Sequence, residues 1–149
     1  MAYEQVKNIV HDLARKHLAA SDACRGEHGI TNANARTKLL LEHLEAFEVE
    51  VYARLEIDNE ATPNEILETW IQYVPMESVD DSLKRLEYAE GADKPQRLLD
   101  FHQSVTDLLK TISDQVESEK VSEFFESLTE IEETFSRQCA VAQTGEADI

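Results

Sequence analysis

Four residues stand out because their chemistry does not suit their surroundings. Glu48 and Glu132 fall on runs of apolar residues spaced three or four apart, and so do His17 and His102. A buried carboxylate is costly unless it is paired, protonated or bound to a metal. Carboxylates and imidazoles arriving from several directions are a donor set for iron, manganese or zinc. Glu45, one turn before Glu48, extends the candidate set. The competing expectation is plainer. A helix turns by about 100° per residue, so polar side chains at the edge of an apolar stripe can reach water by their stems. On that reading the four are boundary residues, and no metal is implied.

The elements that must position them are helices. Residues 35–56 read ARTKLLLEHLEAFEVEVYARLE, with Leu41, Leu44, Glu48, Val51 and Leu55 along one seam and no Gly or Pro to interrupt it. A helix of that length is stable in water only against long partners. The first partner spans about Glu4 to Cys24, with Val6, Val10, Leu13, His17 and Ala20 on its face, and ends at the glycines Gly26 and Gly29. Thr31 or Asn32 is the expected cap of the helix that follows, which stops near Asp58-Asn59. The third helix starts at Pro95 and carries Leu98, His102, Val105, Leu109, Ile112 and Val116. The fourth starts near Glu119 and carries Val121, Phe125, Leu128, Glu132, Phe135 and Cys139, with residues 143–149 expected to fray.

Between the second and third helices lies a stretch, 60–94, too long for a hairpin turn and too apolar for a bare loop. Thr62-Pro63-Asn64-Glu65 reads as a helix start, Ile66, Leu67, Trp70, Ile71 and Val74 as an apolar face of three turns, and Pro75 as its end. Trp70 is the expected packing anchor. A further short helix begins at Ser78 or Asp80 and offers Leu83, Leu86 and Tyr88. The first helix superimposes on the third, and the second on the fourth, with Val6 matching Leu98, Leu13 matching Val105 and Glu48 matching Glu132. The expected fold is all-α: a four-helix bundle of two helical hairpins joined by a helical crossover, without a strand.

At 149 residues this is one expected domain, 1–149, able to bury a core without staples. The net charge is -17, although residues 1–41 carry six Lys and Arg against four Asp and Glu. Nucleic acid and anionic membranes, which need a basic footprint, are disfavoured as partners. An acidic face meeting a basic region of a protein partner, or a second copy in a homodimer, fits the charge better. Two cysteines, Cys24 and Cys139, with no leader pattern and no long apolar run, imply a reducing cytoplasm and no disulfide. If the two hairpins are joined by a crossover, the first and last helices run the same way and both cysteines lie toward one end.

The strings EHLEAFEVEVYARLE (42–56) and ESLTEIEETF (126–135), set on two hairpins, resemble the ferritin-like, rubrerythrin-type superfamily. More narrowly, Trp70-Ile71-Gln72-Tyr73-Val74-Pro75 is similar to the W-x-x-Y-x-P crossover of a bacterial group of small ferritin-like proteins. The resemblance covers about residues 4–142 and implies a ferritin-like bundle. For catalytic members it implies a di-iron site with Glu from two helices and Glu-x-x-His from the other two. This sequence has Glu45-x-x-Glu48 and Thr129-x-x-Glu132, and no Glu-x-x-His anywhere. Gly-rich phosphate loops, Cys-x-x-Cys and His-Glu-x-x-His are also missing. The functional expectation is therefore a noncatalytic structural or interaction module, with no cofactor and no catalytic residue assigned. The alternative is a nonstandard site for iron, manganese or zinc, drawn from Glu45, Glu48, Glu132, His17 and His102.

Overall fold

The computed structural model describes residues 3–25, 34–72 and 76–148. In chain order its elements are β1 (Tyr3–Gln5), α1 (Val6–Arg25), α2 (Ala35–Ala61), α3 (Asn64–Leu67), β2 (Trp70–Gln72), α4 (Glu77–Tyr88), a 3-10 turn at Gly91–Asp93, α5 (Lys94–Gln115) and α6 (Glu119–Asp148). The four long helices are the expected ones. Asn34 caps α2, its side chain accepting from Thr37 N at 2.8 Å. Ser118 does the same for α6, accepting from Val121 N at 3.3 Å. Pro95 sits in the first turn of α5, where its missing N–H costs nothing. α6 extends through Gly145 to Asp148. The glycine break at Gly26–Gly29 and the caps proposed at Thr31 or Asn32 lie outside the described residues.

Each helix buries the seam its spacing marks. Val6, Val10 and Leu13 of α1, Leu41, Leu44 and Val51 of α2, Leu98, Val105 and Ile112 of α5, and Val121, Phe125 and Leu128 of α6 are all buried. Full burial of one such side chain is worth about 1.5–3 kcal/mol. Side-chain contacts fix the directions. His11 meets Glu56, His17 meets Glu48 and Ser21 meets the Glu45 carbonyl, so α1 and α2 are antiparallel. Gln143 reaches the Pro95 carbonyl and Ser122 reaches Ser113, so α5 and α6 are antiparallel too. Surface grooves between α2 and α6 place Phe47 beside Gln138 and Asp58 beside Ser127, again antiparallel. It follows that α1 and α6 run the same way. Cys24 and Cys139 accordingly lie toward the same end, close enough that each thiol feels Glu48.

The crossover departs from expectation. Instead of three helical turns after Pro63 there is one, α3, followed by an extended strand. β2 pairs antiparallel with β1 in the register Tyr3↔Gln72, Glu4↔Ile71 and Gln5↔Trp70. In β2 the burial alternates, with Ile71 in and Trp70 out, the period of a strand. Trp70 is 61% exposed and is no packing anchor; Ile71 has that role. Thr62 closes α2 by donating to the Asp58 carbonyl rather than opening the next helix. Tyr73, Val74 and Pro75 lie outside the described residues. Beyond them α4 packs against both α1 and α5, burying Val79, Leu83 and Leu86 but leaving Tyr88 outside. Lys16 of α1 anchors α4 through Asp80 at 2.7 Å. Among the described residues no helix is long and apolar enough to cross a membrane.

Candidate metal centre

One polar residue from each long helix meets in the middle of the bundle. His17 comes from α1, Glu48 from α2, His102 from α5 and Glu132 from α6, and each is fully buried. The expectation that they skirt the seam and reach water is therefore wrong. Their positions follow from the seams themselves: Leu13 and Ala20 flank His17, Leu44 and Val51 flank Glu48, and Val105 follows His102, all buried. With both neighbours on the stripe facing inward, the residue between them lies inside the core, out of contact with solvent.

The geometry is tight. His17 Nδ1 lies 3.0 Å from Glu48 Oε1, and His17 Nε2 lies 2.6 Å from Glu132 Oε1. His102 Nε2 lies 2.9 Å from each oxygen of Glu48. The edge of the Phe101 ring closes one side against the His17 imidazole at 5.2 Å between centroids. Burial alone would strip His17 of its charge, but the carboxylates of Glu132 and Glu48 outweigh it and raise its pKa to about 10. For Glu48 burial pushes the other way, and the imidazoles of His102 and His17 prevail, bringing its carboxyl down to about 2. His17 is thus an imidazolium held between two carboxylates. The network is incomplete: Glu132 Oε2 and His102 Nδ1 are buried without a hydrogen-bond partner. Buried polar atoms in that state ask for an unseen water or ion.

His17, Glu48 and His102 each offer a ligand atom, and these atoms lie within 4.8 Å of one another. Two imidazole nitrogens and a carboxylate at that spacing form a donor set for a first-row divalent ion. This corrects two expectations together, that of a metal-free structural or interaction module and that of no cofactor. Glu45 is not part of the arrangement. It points toward the surface, 3.5 Å from Arg25.

A buried lysine lies toward the Cys24 end of the bundle, unmarked by the spacing of its helix. Lys94, 1% exposed, donates to the carbonyls of Leu86 at 2.9 Å and Glu87 at 3.3 Å, closing the C-terminus of α4. Burial lowers its pKa. A lysine just before a proline carries no sequence signal for this. The two thiols are free and buried. Burial, with Glu48 adding to it, pushes Cys24 up to about 12, and burial also raises Cys139. We expect neither thiol to react readily with a disulfide reagent in the native protein at pH 8, and both to react once it is unfolded. Fast native labelling of either would contradict this packing.

Fold and site together define a class: an all-α, four-helix bundle of two hairpins with a crossover and a buried histidine–carboxylate centre. Compared with known proteins, the chain matches no family model, no curated protein and no solved structure.

Proposed function

We propose that this is a metal-binding protein whose ion sits in the bundle core, with iron, manganese and zinc as the candidates. The observation that carries the reading is the convergence of His17, Glu48 and His102 from three helices, with their ligand atoms within 4.8 Å. Burial of all three with no exposure to solvent supports it, since a donor set held in the core is costly unless it is paired or bound to an ion. Kinship with the ferritin-like superfamily is part of the proposal, supported by the parallel first and last helices and by one polar residue from each helix at the centre. The ligands differ from that superfamily's pattern. Two free thiols suit a reducing, cytoplasmic setting.

The test is elemental analysis of protein purified without chelator or affinity tag, followed by iron, manganese and zinc titration of the stripped protein. Stoichiometric binding is expected for the wild type, with loss in Glu48→Gln. Substoichiometric metal under every condition would sink the proposal.

A further inference from the structure

We infer, building on the metal reading above, that the centre holds a single divalent ion on His17 Nδ1, Glu48 and His102 Nε2, and that Glu132 is a positioning residue behind His17. The two nitrogens of an imidazole point away from each other, so only one of them faces a given ion. For His17 the choice is made by its neighbours. Its Nδ1 faces Glu48, the same carboxylate that His102 Nε2 contacts, whereas its Nε2 faces Glu132. The ligand-grade cluster contains His17, Glu48 and His102 and leaves Glu132 out.

Glu132 therefore stands where metal-binding histidines have their outer carboxylate. In the metal-free imidazolium both ring nitrogens carry a proton. With an ion bound, Nδ1 would give up its proton, and Glu132, accepting the Nε2–H at 2.6 Å, would hold the ring with the Nδ1 lone pair inward. His102 has no such support, its Nδ1 being without a partner. The same count argues against a second ion. Among the described residues no other cluster of three His, Cys, Asp or Glu side chains meets the ligand spacing. Cys24 and Cys139 follow His17 and Glu132 by seven residues, a rise of about 10 Å along their helices, out of reach of this ion. Three protein ligands leave a coordination position for a small exogenous ligand, such as water or an inorganic anion.

Cobalt(II), whose visible spectrum reports coordination, distinguishes these statements. Stripped wild type, Glu48→Gln and Glu132→Gln are titrated with cobalt(II), and azide is then added. The wild type should bind one ion per chain and change its spectrum with azide. Glu132→Gln should still bind one ion, with affinity lowered about 10–100-fold and an altered spectrum. Glu48→Gln should bind none. No ion in the wild type would defeat both the metal reading and this inference. Two ions per chain, complete loss of cobalt in a Glu132→Gln protein that keeps its helicity, or a spectrum indifferent to azide would defeat the inference alone. If Glu132→Gln does not fold, wild-type stoichiometry and azide response decide the question.

Discussion

Glu48→Ala is expected to destabilise the metal-free protein by about 3–5 kcal/mol, the range for breaking a buried ion pair from one side. Glu48 receives both imidazoles, from His17 at 3.0 Å and from His102 at 2.9 Å, with no solvent to replace it. Its removal leaves a buried imidazolium with one carboxylate and a second imidazole with no partner at all. The companion variant carries His17→Leu, Glu48→Met, His102→Leu and Glu132→Met together. It removes every member of the network at similar volume, and it should match or exceed the wild type in chelator, because the desolvation of four polar groups disappears with them. Urea denaturation in chelator measures both. A Glu48→Ala protein as stable as the wild type would mean that the four side chains do not form the buried network.

The second large effect is on pH dependence. His17 is raised from about 6.5 to about 10, so its contribution is complete below pH 6.5 and fades as pH rises through 10. Glu48 is lowered from 4.5 to about 2, so its contribution is complete above pH 4.5 and fades as pH falls through 2. The network therefore stabilises the metal-free bundle most between these limits, and each flank falls by up to about 1.4 kcal/mol per pH unit. A net charge of -17 adds its own pH dependence, since acid relieves repulsion among 31 carboxylates. Subtracting the curve of the fourfold apolar variant from that of the wild type removes that background. The difference should be a plateau near pH 4.5–6.5 with losses on both sides. A flat difference would refute the charge assignment.

The bundle was legible in the sequence because its signals are local. Seams such as Leu41-Leu44-Glu48-Val51-Leu55 repeat over many turns, and the length of the crossover argued for parallel outer helices. The crossover itself was less legible. Ile66, Leu67, Trp70 and Ile71 are too few to separate a helical period from an alternating one, and the pairing of β2 with β1 joins residues far apart in the chain. The centre lay between these cases. His17, Glu48, His102 and Glu132 were each visible on their seams, but periodicity fixes a residue's direction only to within about one position. Whether a polar residue stands at the middle of the stripe or its edge depends on how α1, α2, α5 and α6 rotate against one another. Glu45, one turn from Glu48, shows the limit: equally acidic, it faces Arg25 instead.

The contacts of the centre also span very different lengths of chain. His17 and Glu48 are 31 residues apart, Glu48 and His102 are 54 apart, and His17 and Glu132 are 115 apart. Closing the longest of these loops costs about 1 kcal/mol more chain entropy than closing the shortest. His17 and Glu48 belong to the same α1–α2 hairpin, whereas Glu132 is supplied by the last helix. In a chain emerging from the ribosome, the second carboxylate of His17 is the last of these groups to appear. No fragment ending before α6 can close the centre, because Glu132 lies on that helix.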